Sequence, residues 1–384
     1  MYPNSIISKL RNHKTPFYYY DIEVLQQTLE KVKAEGLSRG FHIHFALKAN
    51  HQQKMLKYVK EAGLGADCVS GGEIQQAINC GFSPDEIAFA GVGKSDEEIE
   101  LALSHDIFCF NCESPQELRV LNELAGKHDT TARIALRLNP NVDAKTHKYI
   151  TTGLKENKFG INEEDLDSVL DALVDLGNLK LIGIHFHIGS QIEQLQPFKT
   201  LCRRANELSS YIEGRGFKLS VINVGGGFGI NYDHPNDNAV PDFKTFFDLF
   251  EQNIQLKPHQ NLHFELGRSV VGQCGSLITK VLFTKKGRAK NFAIVDAGMT
   301  ELIRPALYQA RHRIDVLTSN KPKKNYDVVG PVCESSDTFR KDVTIPEVER
   351  GDLIAIRSAG AYGEVMRSAY NLRVARPSVY SDAL

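Results

Sequence analysis

His42-Ile43-His44-Phe45-Ala46-Leu47 is a short β-rich run that ends in Lys48-Ala49-Asn50, and a helix-length amphipathic stretch follows it. The same unit recurs down the chain. Its strand-like runs fall at residues 42–47, 65–69, 87–90, 107–110, 132–138, 181–187, 221–224 and 262–266. Strands that alternate with helices pair in parallel, and eight such units predict a closed (β/α)8 barrel. The intervening helices carry signals of their own. Ser95-Asp96-Glu97-Glu98 reads as a capping box ahead of a stretch ending near His105, with its acids at the positive end of the helix dipole.

Beyond Arg268 the texture changes to short β-rich pieces at 277–283, 291–295 and 353–356, divided by Gly, Pro and Lys turns. Residues 17–20 are a further strand candidate that precedes the barrel and could pair with that later β region. The expected fold class is α/β: a barrel over 25–267, and a mostly-β domain assembled from 1–24 and 268–384.

A chain of 384 residues exceeds one average domain. Its 46 basic and 47 acidic residues nearly cancel, without a notable block of one sign, which argues against a nucleic-acid partner or an anionic membrane surface. No apolar run approaches the roughly 20 residues of a membrane helix. The first 14 residues are interrupted by polar side chains and lack the apolar stretch of a secretory signal, so the expected location is the cytoplasm. Seven scattered cysteines argue against a disulfide framework, and Cys109 and Cys112, a C-x-x-C on and just beyond an apolar run, read as structural.

Barrels of this kind collect active-site groups at the C-terminal ends of their strands. The first strand end offers Lys48, an amine that becomes nucleophilic where its surroundings are partly dry, although a lysine there is by itself more often solvated. The sixth offers Ile184-His185-Phe186-His187-Ile188-Gly189-Ser190. Its two histidines, two apart and so on one strand face, could hold a metal with Asp67 and Glu265, or one could stack on a flat aromatic cofactor. The seventh ends in Val224-Gly225-Gly226-Gly227-Phe228-Gly229, where absent side chains let backbone N–H groups approach a phosphate. The eighth ends in Phe264-Glu265-Leu266-Gly267-Arg268, an acid fit to keep a pyridine nitrogen protonated or to form a structural pair with the arginine.

Residues 45–50, 185–191, 225–229 and 265–268 together, in this order, resemble the fold-type III pyridoxal-phosphate decarboxylases, whose barrel is of the alanine-racemase type. The downstream stretches 302–308, 330–337 and 360–363 resemble the diaminopimelate decarboxylase branch. The resemblance spans nearly the whole chain. It implies pyridoxal 5'-phosphate as cofactor and decarboxylation of meso-2,6-diaminopimelate to L-lysine and carbon dioxide, the last step of lysine biosynthesis.

Roles follow from it position by position. Lys48 would hold the cofactor covalently, His187 would stack on its ring, and Glu265 would face the ring nitrogen. Asp67 joins the cofactor set, and Ser190, Gly227, Gly267, Arg268 and Tyr362 match positions that serve the phosphate. Arg268, Arg304 and Tyr308 match the residues that bind the distal carboxylate of the substrate, with Tyr362 beside them. Glu334 matches the acid for its distal ammonium. Cys333 matches the group that returns a proton after carbon dioxide leaves, and in the family it comes from the second subunit of a homodimer.

Arginine's planar fork suits a carboxylate better than a lysine would, so Arg304 favours a substrate with a second amino-acid head over ornithine or carboxynorspermidine. Alanine racemases place a cation where this chain has Glu265. Leu266 departs from the family, which usually has proline there, and leaves the backbone before the phosphate contact freer. A non-catalytic barrel relative and a metal hydrolase built on His185 and His187 complete the alternatives.

Overall fold

The computed structural model describes residues 2–142 and 158–384. Its chain falls into two compact units, one of Leu29–Gly229 with Asp242–Gly267, the other of Met1–Thr28, Ile230–Pro241 and Arg268–Leu384.

After a first strand, β1 (Phe17–Tyr20), eight strands follow: β2 (His42–Ala46), β3 (Gly65–Cys68), β4 (Ile87–Phe89), β5 (Cys109–Cys112), β6 (Ala132–Arg137), β7 (Leu179–His185), β8 (Val221–Asn223) and β9 (Asn261–Leu266). From β2 to β9 each pairs in parallel with the next, and β9 closes on β2 through His42↔His263 to Phe45↔Leu266. The barrel expected from the alternating pattern is therefore present. Every strand is a short, mostly buried run, as parallel strands covered on the outside by helices must be.

One covering helix shows how the sequence builds this layer. Asp242 accepts from the Thr245 N–H at 3.1 Å and starts the helix Phe243–Asn253. Phenylalanines at 243, 246, 247 and 250 then share one face. That face meets Phe264 of β9, with Phe250 edge-on at 4.9 Å and Phe247 at 5.1 Å. The capping box at Ser95 and Glu98 is likewise formed, opening the helix Asp96–Ser104.

The other unit holds an eight-stranded sheet. Its later members are β10 (Gly275–Lys286), β11 (Asn291–Val295), β12 (Ile314–Val316), β13 (Lys323–Val329), β14 (Thr338–Pro346), β15 (Leu353–Ile356) and β16 (Val379–Tyr380). Six of them run in the order β12-β15-β10-β11-β13-β14. β1 pairs antiparallel with β10, Phe17 opposite Ile278, and β16 pairs with β1. The N-terminal strand thus joins the β unit.

The run predicted at 107–110 is displaced, since β5 spans Cys109–Cys112 and buries all four residues. Cys109 and Cys112, three apart on this strand, face opposite sides, so their thiols do not converge, and burial pushes both up in pKa. No helix among the described residues is long and apolar enough to cross a membrane.

Candidate active site

At the end of β2 a single 3-10 turn, Leu47–Ala49, carries Lys48. Its Nζ lies 2.9 Å from Oδ2 of Asp67, a fully buried carboxylate on the neighbouring β3. Burial and the Glu265 charge push the Asp67 pKa up, and Lys48 offsets only part of this.

Glu265, near the end of β9, is 5% exposed and is held by side chains from three other strands. Asn111 of β5 and Asn223 of β8 donate to Oε1 at 3.1 and 2.9 Å, and His185 of β7 reaches Oε2 at 3.1 Å. Burial favours the neutral acid, but His185 and the Lys48 charge outweigh it and hold Glu265 below the usual carboxylate range. Glu265 is therefore an ionised carboxylate in a dry barrel interior.

β7 stops at His185, so His187 stands past the strand end. Its ring is crowded by protein although part of its surface stays accessible. That burial, with the Arg137 and Lys48 charges, pulls its pKa down to about 3. The Gly226 N–H points at its Nδ1 from 3.4 Å. Arg137 is paired with Glu113 at 2.6 Å and covered by the Phe159 ring.

The glycine run after β8 is required by close packing. A Cβ on Gly225 would come within 2.1 Å of the Phe186 carbonyl oxygen, and one on Gly226 within 1.9 Å of the Glu265 carbonyl oxygen. Only bare backbone fits between these strand ends, which leaves a side-chain-free floor suited to a phosphate group. An amine, an ionised acid, a neutral imidazole and a glycine floor fit a phosphorylated pyridine aldehyde.

In the β unit, Arg268 and Arg304 are 5% and 6% exposed. Arg268 Nη1 donates to the Tyr232 hydroxyl at 2.5 Å, and its guanidinium lies 5.0 Å from the Tyr362 ring centre. Arg304 lies 5.7 Å from the Tyr232 ring and 5.8 Å from that of Tyr308. Two arginines and three tyrosines thus form one group. Among the described residues Arg304 has no carboxylate partner, and burial pulls its pKa below the usual arginine value. Cys333 is an exposed free thiol. Beside it the exposed Glu334 accepts from the Tyr370 hydroxyl at 2.8 Å. Their loop is folded around Asp337, which accepts the Met299 and Val332 N–H groups.

Sequence reasoning does not single out Asn111, Asn223, Arg137 or Tyr232. Short polar residues on strands carry no motif, and Tyr232 lies on a segment, 230–241, whose place with the β unit has no compositional mark. The spacing of His185 and His187 leaves open a metal pair or a ring-stacking histidine, and the structure shows His185 Nε2 engaged by Glu265. Among the described residues no cluster of three or more His, Cys, Asp or Glu is arranged to hold a metal ion.

Residues 24–272 match the family model described as the pyridoxal-binding domain of pyridoxal-dependent decarboxylases. The chain is 55% identical over 379 residues to a diaminopimelate decarboxylase of Bacteroides thetaiotaomicron, covering 98% of each. Among solved structures, it is similar to Helicobacter pylori diaminopimelate decarboxylase complexed with L-lysine, at 41% identity and a TM-score of 0.90, covering 98% of this chain and 93% of that one. The M. jannaschii diaminopimelate decarboxylase, also in complex with L-lysine, is 33% identical with a TM-score of 0.90, covering 98% of this chain and 89% of that one. The chain belongs to the pyridoxal-dependent decarboxylases, within the diaminopimelate decarboxylase family.

Proposed function

We propose that this protein converts meso-2,6-diaminopimelate to L-lysine and carbon dioxide with pyridoxal 5'-phosphate as cofactor. The observation that carries the substrate is Arg304, a buried cation among tyrosines with no carboxylate partner among the described residues. A buried charge of this kind is costly unless a partner arrives, and the second carboxylate of diaminopimelate is such a partner. L-Lysine, the expected product, is the ligand of the H. pylori and M. jannaschii relatives.

When bound, the cofactor supplies an aldehyde for the substrate amine and a ring that accepts the electron pair left by carbon dioxide. Lys48 would hold it covalently, with Asp67 keeping that amine oriented. Glu265 would maintain a proton at the ring nitrogen, and the neutral imidazole of His187 would lie against the ring without adding a competing positive charge. Ser190, Gly227, Gly267, Arg268 and Tyr362 serve the phosphate. Arg268, Arg304 and Tyr308 bind the distal carboxylate, Glu334 the distal ammonium, and Cys333 donates the proton that replaces the lost carboxyl group.

We assign residues 25–267 to cofactor binding, and 1–24 with 268–384 to substrate and dimer contacts. The working form is a homodimer with shared sites, in the cytoplasm. Purified protein given meso-diaminopimelate releases lysine, faster with added pyridoxal phosphate. Borohydride treatment fixes the cofactor onto Lys48. Release of carbon dioxide from ornithine or carboxynorspermidine in preference to diaminopimelate would overturn the substrate, and a K48A protein that still turns over would overturn the role of Lys48.

A further inference from the structure

Glu265 is a buried carboxylate whose acceptor positions can be counted. A carboxylate offers about four lone-pair positions, two on each oxygen. Asn111 and Asn223 both donate to Oε1 and so fill it. His185 Nε2 takes one position on Oε2. The position with no protein donor among the described residues is therefore on Oε2, the same oxygen that His185 holds.

Resting on the role proposed above for Glu265, we propose that His185 is a positioning residue for the reaction. It holds Oε2 as the oxygen that receives the N–H of the cofactor ring, and it keeps that oxygen weakly basic. His185 is 1% exposed, and its Nδ1 has no hydrogen-bond partner among the described residues, so the bond through Nε2 is the one that anchors the ring. A carboxylate oxygen that already accepts one hydrogen bond is less basic toward a second donor. Without His185, Glu265 draws the shared proton toward itself and weakens the positive charge it maintains at the ring nitrogen. Glu265 would also lose the contact that fixes its plane, since the two asparagines grip only the other oxygen.

The test compares H185L, H185N and H185Q. H185L lowers kcat about tenfold to a hundredfold, the worth of one hydrogen bond to a charged group, and leaves KM for meso-diaminopimelate unchanged. It also moves the visible absorption maximum of the bound cofactor. H185Q, whose amide reaches far enough to donate to Oε2, recovers most of both effects. Should H185L not fold, H185N carries the same expectation, because its shorter amide stops short of Oε2. A histidine that only fills space would lower the melting temperature yet leave the kcat and absorption of the folded protein as in wild type, and that result overturns the proposal.

E265A separates the role of Glu265 from that of His185. If E265A keeps its kcat, the role of Glu265 itself falls, and this proposal falls with it. If E265A is inactive while H185L and H185N match wild type, only the role of His185 falls. On the absorption band, adding H185L to E265A produces no further shift when His185 acts through Glu265. An additional shift of full size shows that it acts elsewhere, and overturns the proposal.

Discussion

At the scale of single residues, charge placement distinguishes the groups proposed for binding from those proposed for chemistry. Arg304 is a buried cation packed against the rings of Tyr232 and Tyr308, so shape and charge both matter there. R304A should raise KM for meso-diaminopimelate about tenfold to a hundredfold, the range for losing one charge-assisted contact, with a much smaller change in kcat. R304K should recover little, because an ammonium cannot make the bidentate contact or stack on the tyrosines. Steady-state kinetics on both variants checks this, and equal recovery by lysine would show that charge alone suffices.

Elements add two consequences. The glycine run after β8 exists because strand ends approach too closely for any side chain, and Gly226 is its tightest point, where an added Cβ would come within 1.9 Å of the Glu265 carbonyl oxygen. G226A should push Glu265 out of place, lowering stability by about 1–3 kcal/mol as an overpacked site does, and with it cofactor retention. Thermal unfolding and the absorbance of dialysed protein measure the two effects. At the opposite end of the strands, His44 is buried, with Nε2 3.0 Å from Nδ1 of His263 and Nδ1 3.1 Å from the Glu86 carbonyl oxygen. His263 in turn stacks on His42 at 4.4 Å.

Burial pulls the His44 pKa down from 6.5 to about 4. The folded state then refuses a proton that the unfolded state accepts below pH 6.5. Stability is therefore complete above that pH and is lost as pH falls from 6.5 through 4, by about 3 kcal/mol from this group. Urea unfolding at pH 7.5 and pH 5 should show the loss. H44Q should shrink the difference between the two pH values, and an undiminished difference would assign the effect to other groups.

For the whole molecule, the proposed sharing of sites between subunits gives the clearest expectation. K48A and C333A should each be inactive alone. After subunit exchange, half of the dimers carry one lesion on each chain, and one of their two sites is intact, so roughly a quarter of wild-type activity returns. The recovered rate after mixing and renaturation measures this, and no recovery with exchange verified would place Lys48 and Cys333 of each site in the same subunit.

The barrel is legible in the amino-acid order alone, because eight β-rich runs separated by helix-length amphipathic stretches leave few other ways to bury their apolar faces. Strand ends are legible there too, since Lys48 and the glycines at 225–227 come just after β2 and β8, and Glu265 is the penultimate residue of β9. What surrounds these groups is set by packing between elements. Asn111, His185 and Asn223 lie on β5, β7 and β8, and the closure of the barrel, not any local spacing, turns their short side chains toward one carboxylate. The same holds for Tyr232, which reaches the two arginines because residues 230–241 leave the barrel sequence to join the β unit. Periodicity reports which face of an element is buried. It carries no information about which polar atoms on separate elements end up within 3 Å, because that distance is set by the packing of the whole chain.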